Sequence, residues 1–145
     1  MIRRWAWFAL ALPLLAGCRQ PPPAAVQDSG QQIYLTRCAV CHGTNGEGVL
    51  QYPALVHSQW VDGPSIRFAA IILDGLQGRI GNYNAVMPGW GSTLRDTEIA
   101  EVMTWLRKQD GNPPVTAVDV NHARIETNGH NTFWNAVDLQ NLPDR

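Results

Sequence analysis

The pentapeptide Cys38-Ala39-Val40-Cys41-His42 constrains this chain more than any other stretch of its 145 residues. C-x-x-C-H is the attachment sequence for haem c, in which each thiol adds its S–H across a vinyl group of the porphyrin. The two cysteines lie nearly one helical turn apart, on one face of a helix, and the next residue brings an imidazole within reach of the iron. The pattern therefore predicts one covalently bound haem c, with His42 as an iron ligand.

C-x-x-C also occurs in zinc sites and in dithiol redox centres, so both alternatives have to be weighed. Zinc takes four ligands in structural sites. The third cysteine, Cys18, lies in a leader-like segment, and His57, His122 and His130 lack the paired spacing that would complete a tetrahedral site. A thioredoxin-like centre needs strand and crossover flanks, whereas the segment around Cys38 has a helical pattern. Haem c is the favoured interpretation.

The N-terminal residues indicate export and lipid attachment. Arg3 and Arg4 precede an apolar stretch, residues 5–15, that is too short to span a bilayer but is typical of a secretory signal. Leu15-Ala16-Gly17-Cys18 resembles a bacterial lipobox, in which the cysteine receives diacylglycerol and the leader is cleaved before it. We expect residues 1–17 to be a lipoprotein signal peptide and Cys18 to be lipidated. The alternative is an ordinary signal or an uncleaved anchor, with Cys18 as a free thiol.

Residues 18–28 form a proline-rich tract that contains Pro21-Pro22-Pro23. Such a tract cannot build a core, but it extends as polyproline II at about 3.1 Å per residue. We expect a tether that holds a domain up to about 30 Å from the membrane, with the two acyl chains on the cysteine as its anchor. The predicted location is the bacterial cell envelope, facing the periplasm, with the choice of inner or outer membrane left open.

Composition favours one small globular domain and argues against binding of nucleic acid. Hydrophobic residues make up 45% of the chain and charged residues 16%, which is unlike a disordered protein. Loss of Arg3 and Arg4 with the leader would leave an excess of acidic residues, so the mature chain lacks the basic charge that nucleic-acid-binding proteins have. A core of this size is marginal alone, and a covalently held porphyrin would add apolar mass to it.

Three segments have helical patterns. The first begins at Ser29 with a capping-box pattern and leads to Cys38. The second runs from about Pro64 to Asp74, where a glycine follows. The third starts at Asp96 and combines an apolar stripe with acidic residues in the first turn, basic residues in the last turn, and glycine and proline beyond its end.

Together these features resemble those of class I cytochromes c. Residues 30–38, Gly-Gln-Gln-Ile-Tyr-Leu-Thr-Arg-Cys, have the family's small residue and aromatic residue ahead of the haem cysteines. Trp105 and Leu106 match the aromatic–aliphatic pair of the family's last helix, which crosses the first helix there. The resemblance implies an all-α class I cytochrome c fold, with helices packed around one haem, over residues 29–112.

Residues 113–145 are then a C-terminal extension. A short helix over residues 115–125 is compatible with their pattern. From Glu126 to Arg145, apolar residues are sparse, and we expect a loosely ordered tail, with packing over the haem domain or docking of a partner as alternatives.

The resemblance also implies the remaining site residues. Met87 lies in a glycine- and proline-rich loop, residues 83–91, just before the last helix, where the family carries its axial methionine. The competitor, Met103, falls on the apolar stripe of the third helix, which predicts a core position. Pro53 stands where the family has a proline whose carbonyl accepts a hydrogen bond from the haem histidine and fixes its ring. The alternative for Pro53 is a simple turn residue.

With both axial positions filled, a haem transfers electrons rather than binding a substrate, so the expected function is a single-electron carrier and not a catalyst. The stretches 75–78 and 83–91 look like those of small bacterial cytochromes found beside membrane oxidases, reductases or quinoprotein dehydrogenases, which are the expected donors and acceptors. A lipid-tethered shuttle is the first hypothesis, and a fixed cytochrome subunit of a membrane complex is the second. A haem sensor or peroxidase-like protein, without methionine on the iron, is the third.

Overall fold

The computed structural model describes residues 28–80 and 82–144. The predicted signal peptide, Cys18 and most of the predicted tether lie outside the described residues. Within the two described ranges, no helix has the length and apolar character needed to cross a membrane. The elements there are α1 (Ser29–Arg37), α2 (Ala39–His42), α3 (Gln59–Asp62), α4 (Ser65–Asp74), β1 (Gly75–Ile80), β2 (Tyr83–Pro88), α5 (Asp96–Gln109), α6 (Ala117–Glu126) and α7 (Ala136–Gln140).

Helix α1 starts at an aspartate cap. The carboxylate of Asp28 accepts a hydrogen bond from the backbone N–H of Gly30 at 3.0 Å, so Asp28, and not the predicted Ser29, is the N-cap. Asp28 takes this role because its carboxylate reaches the free N–H groups of the first turn. The helix ends at Arg37, and after Cys38 the chain continues as the single turn of α2, which Gly43 terminates at a φ of 78°.

Helices α1 and α5 cross at Gly30, as the resemblance implied. A Cβ atom on Gly30 would lie 2.1 Å from the backbone oxygen of Glu101 and 3.0 Å from the Cβ of Trp105. One turn further along α1, the ring of Tyr34 packs on that of Trp105, with their centroids 4.5 Å apart. The missing side chain at residue 30 therefore lets the two backbones approach, and the aromatic pair closes the contact.

Helix α4 is buried on nearly all sides. The consecutive residues 68–73 are all buried, which no helix with a single packed face would show. Part of this helix belongs to the main core with α5 and α6, whereas Ala70 and Ile71 belong to a second cluster on its other side. The helix begins within a residue of its predicted start and ends at Gly75, where φ is +86°.

The all-α expectation is not confirmed, because the fold is mainly helical but includes a small sheet. Strands β1 and β2 pair antiparallel, with Gly75 opposite Pro88 and Leu76 opposite Met87. Residues 83–91, the glycine- and proline-rich stretch that the sequence predicted to be a loop, therefore contain the second strand of a β-hairpin. The strand pairing supplies hydrogen-bond partners for backbone N–H and C=O groups, which would stay unsatisfied if this stretch packed against α4 as a loop.

Helix α6 packs on α4 and α5, so the chain beyond residue 112 continues the same packed unit. Thr116 and Asp119 form a capping box at its start. Near its end, Arg124 donates to the carboxylate of Asp96 at the start of α5, with distances of 3.0 Å from Nε and 2.7 Å from a terminal nitrogen. Arg124 also donates to the backbone oxygen of Gly91 at 2.8 Å.

Residues 127–144, here named the C-terminal segment, are folded back on the domain. Trp134 is 5% exposed and Leu139 is 0% exposed, and both pack against Ala70 and Ile71 of α4. The expectation of a loosely ordered tail is therefore wrong. Two buried apolar side chains anchor this otherwise largely exposed segment, because α4 presents a complementary apolar face on the side away from α5.

Candidate haem site

An apolar cavity of about 320 Å³ opens beside the C-x-x-C-H segment. Its walls come from α2, the loop that follows it, α4, both strands of the hairpin and α5. The sequence predicted four of its residues as covalent or axial sites, and all four line this one cavity. They are Cys38, Cys41, His42 and Met87.

Cys38 and Cys41 are half-buried free thiols at the cavity wall. Burial, with the neighbouring thiol of Cys41 adding to it, raises the pKa of Cys38 to about 11. Reactive dithiol centres depend on a lowered pKa, because the thiolate is the nucleophile. The surroundings of Cys38 thus oppose the dithiol alternative.

The imidazole of His42 is oriented by a backbone carbonyl. Its Nδ1 lies 2.9 Å from the oxygen of Pro53, the contact that the family resemblance implied. Because that oxygen can only accept, Nδ1 must carry the proton, and Nε2 is left with a free lone pair. Burial lowers the pKa of His42, against the opposing effect of the Pro53 hydrogen bond, and so favours the neutral ring that metals bind.

The loop between α2 and α3 positions this carbonyl through backbone hydrogen bonds. The N–H of Gly48 donates to the oxygen of His42 at 2.8 Å, and the N–H of Leu55 donates to the oxygen of Gly46 at 2.7 Å. The buried hydroxyl of Tyr34 donates to the oxygen of Gly43 at 2.7 Å and fixes the start of the loop to α1. Burial raises the pKa of Tyr34, so this donor keeps its proton.

Met87 is half-buried on strand β2 and packs against both apolar clusters. The chain after it is fixed to the end of α4, where the N–H of Trp90 donates to the oxygen of Ile72 at 2.7 Å and the N–H of Gly91 donates to that of Leu73 at 2.9 Å. Met103, by contrast, is fully buried in the main core and does not line the cavity, as its helical position predicted.

Two tryptophans that the sequence did not assign also belong to the cavity. Trp60 and Trp90 both line it, and the buried indole Nε1 of Trp60 has no hydrogen-bond partner among the described residues. An unpartnered donor in an apolar wall fits a bound group that has an acceptor at its edge. Haem c therefore fits this site, which offers two thiols, an oriented imidazole, the sulfur of a methionine and an apolar lining. Arg67 of α4 does not line this cavity and donates to backbone oxygens of the C-terminal segment.

A zinc site is not formed by the part of the chain that the structure describes. In residues 28–80 and 82–144, no three His, Cys, Asp or Glu side chains are grouped so that they could hold a metal ion. His57 pairs with Asp110, its Nδ1 lying 2.7 Å from the carboxylate, and His122 lies near Glu126. His130 stacks on Trp134, with the ring centroids 3.5 Å apart.

Comparison with known proteins matches this chain to cytochrome c subunits. A family model described as cytochrome c oxidase, cbb3-type, subunit III matches residues 25–106. The cbb3-type cytochrome c oxidase subunit CcoP of Azospirillum brasilense is 31% identical over 94 residues, which are 61% of this chain and 30% of that protein. The cytochrome c subunit of the quinone alcohol dehydrogenase of Gluconobacter oxydans (strain 621H) is 30% identical over 105 residues, 67% of this chain and 22% of that protein. The chain thus aligns with less than a third of the length of either relative.

Proposed function

Because the chain belongs to the family of cbb3-type cytochrome c oxidase subunit III and is a class I c-type cytochrome, we propose that it carries single electrons within a membrane redox system. Membership of the family implies covalently bound haem c as the cofactor. The observation that supports the proposal best is the single apolar cavity that brings together Cys38, Cys41, His42 and Met87.

Each of these residues has a distinct part in the proposed site. The haem supplies one-electron redox chemistry when bound. Cys38 and Cys41 would hold it through thioether bonds, and His42, its Nδ1 engaged by Pro53, would offer Nε2 to the iron. Met87 would offer its sulfur from β2, and an axial methionine raises the reduction potential. Because both axial positions would then be filled from the chain itself, we propose a carrier and not a catalyst.

The proposed partners are a membrane-bound oxidase, reductase or quinoprotein dehydrogenase that donates or accepts electrons. We propose that Cys18 carries the lipid anchor and that residues 18–28 form the tether, so that the haem domain moves along the periplasmic face of its membrane. The lipobox and the proline-rich tract support this location.

A fixed subunit of a membrane complex is the second candidate. Both relatives reported above are named as subunits, one of an oxidase and one of a quinone-dependent alcohol dehydrogenase. Purification from detergent-solubilised membranes separates the two candidates. A subunit should elute with an oxidoreductase in constant stoichiometry through two chromatographic steps, whereas a shuttle should elute alone.

The test of the proposed site is an optical spectrum of the protein matured in a periplasm that attaches haem c. We expect haem that resists acidic organic extraction, and a weak near-infrared band in the ferric state from methionine sulfur on iron. The ferrous protein should bind carbon monoxide only slowly, because Met87 would occupy the position that carbon monoxide needs. Covalent haem without the sulfur band, together with rapid carbon monoxide binding, would instead support a sensor or peroxidase-like protein, and extractable haem would refute the site.

A further inference from the structure

The hairpin that carries Met87 is paired on its other edge by the C-terminal segment. Trp134 forms a parallel bridge with Leu76, the residue that lies opposite Met87 in the antiparallel pair. The N–H of Trp134 donates to the oxygen of Gly75 at 3.0 Å, and the N–H of Gln77 donates to the oxygen of Trp134 at 2.9 Å. At this level, β1 is thus hydrogen-bonded on both edges, and Leu76 lies between Trp134 and Met87.

The side chain of Trp134 adds a contact with α4. Its indole packs on Ala70 and Ile71 of α4, and the same cluster touches both Leu76 and Met87. The indole Nε1 donates to the carboxylate of Asp74 at 3.1 Å, directly before β1 begins. Trp134 therefore connects the hairpin to α4 through backbone and side chain together.

The far end of the C-terminal segment is attached to α4 at a separate point. The guanidinium of Arg67 donates to the backbone oxygens of Gln140 at 3.2 Å and Leu142 at 3.1 Å, and it pairs with the carboxylate of Asp144. Leu139, between these two attachments, is fully buried. The segment is consequently held to α4 on both sides of α7.

We propose that the C-terminal segment positions Met87. Trp134 is the positioning residue that holds the hairpin against α4 and so keeps the Met87 sulfur at the haem cavity. This inference rests on the proposed ligation of iron by Met87. A hairpin of two short strands is only marginally stable in water, and a third paired stretch with an apolar face usually stabilises it. Loss of the pairing with the C-terminal segment should therefore raise the population in which β2, and Met87 with it, has moved away from the haem cavity.

The test compares haem-loaded variants by two readouts that do not depend on partner activity. These are the near-infrared sulfur band of the ferric protein and the rate at which the ferrous protein binds carbon monoxide. Trp134→Ala should weaken the band and speed carbon monoxide binding by about tenfold or more, since local opening controls access to the iron. Trp134→Phe, which keeps an aromatic ring but loses the bond to Asp74, should give a smaller change in the same direction.

Two controls separate positioning from general loss of stability. Val120→Ala removes methyl groups from a fully buried site on α6 that does not line the cavity, and Val137→Ala alters an exposed residue of the C-terminal segment. Neither should change the sulfur band or the carbon monoxide rate. An equal response of Val120→Ala and Trp134→Ala would overturn the proposal, because the effect would then follow stability alone.

A measurement on the unaltered protein covers the case in which the variants fail to mature. In hydrogen–deuterium exchange, peptides from residues 75–88 and from residues 131–136 should lose protection together. Rapid exchange in 131–136 with lasting protection in 75–88 would overturn the positioning role. If the unaltered protein has a sulfur band and the Trp134 variants keep it in full, the inference fails while the proposed function stands. If the unaltered protein lacks the band, methionine ligation fails, and the inference fails with it.

Discussion

Replacement of Gly30 by alanine tests the close approach of α1 and α5 where the two helices cross. The added Cβ would lie 2.1 Å from the backbone oxygen of Glu101, whereas real Cβ contacts essentially never fall below 3.0 Å. The helices would therefore have to separate by about 1 Å, a gap that forfeits a quarter to a half of each van der Waals contact that it opens. The rings of Tyr34 and Trp105, which pack at a tilt next to the crossing, would lose contact as well.

The expected change in the free energy of unfolding is the balance of two opposing effects. Overpacking of this kind costs about 1–3 kcal/mol. Gly30→Ala should lie near the upper end of this range, because the carbonyl of Glu101 is fixed within α5 and cannot move away from the new methyl group. Alanine regains at most about 1 kcal/mol of helix propensity over glycine. The net loss in the free energy of unfolding should be about 2 kcal/mol, which corresponds to a fall of about 8 °C in Tm for a domain of this size.

The assay is guanidinium unfolding of the haem-loaded protein at pH 7, followed by far-ultraviolet circular dichroism. Ser29→Ala is the matched control, because Ser29 is the exposed neighbour on α1 and Asp28 supplies the cap. We expect the control to stay within about 0.5 kcal/mol of the parent. A Gly30→Ala protein as stable as the parent, or more stable, would refute the argument from close approach.

Further predictions concern the ligand, the anchor and one ion pair. Met87→Ala should lower the reduction potential and let the ferrous protein bind carbon monoxide, whereas Met103→Leu should leave the spectrum native; an unchanged spectrum in Met87→Ala would exclude Met87 as a ligand. Cys18→Ser should release the protein from membranes or block its maturation, and unchanged membrane fractionation would reject lipidation at that residue. Burial would raise the pKa of Asp96, but hydrogen bonds led by Arg124 outweigh it and hold that pKa below its ordinary value. The contribution of the pair is therefore present above the unfolded pKa of about 3.9 and is lost as the pH falls through the lower folded value. Arg124→Met should cost about 1 kcal/mol in unfolding free energy at pH 7, and the difference from the parent should shrink below about pH 4; a difference that is constant with pH would contradict the role of the ion pair.

The sequence predicted the long helices well because their signals are local. Helices α4 and α5 have apolar stripes, suitable termini and stop residues within their own segments, and both start within a residue of their expected positions. The placement of His42 against Pro53 and the approach at Gly30 also agree with the structure, but these came from a family pattern rather than from periodicity. The roles of the site residues remain proposals.

The hairpin and the C-terminal segment were missed because their stability comes from residues far apart in the sequence. Residues 75–91 contain several glycines and little alternation, which is typical of a loop, and Trp134 and Leu139 are isolated in a polar stretch. One signal could have revealed them. Six consecutive apolar residues on α4, Phe68 to Leu73, are too many for one buried face and indicate that a further layer covers the helix.

The attachment of the C-terminal segment to the hairpin imposes an order on assembly. His42 and Pro53 are 11 residues apart, whereas Trp134 and Asp74 are 60 residues apart, so a short length of chain is enough to arrange the histidine side of the site. Contacts of long sequence separation carry a larger loop-closure cost and tend to form late in folding. In the proposed site, the thiols can therefore meet the maturation machinery while the methionine side is still open, and folding of the C-terminal segment completes the site.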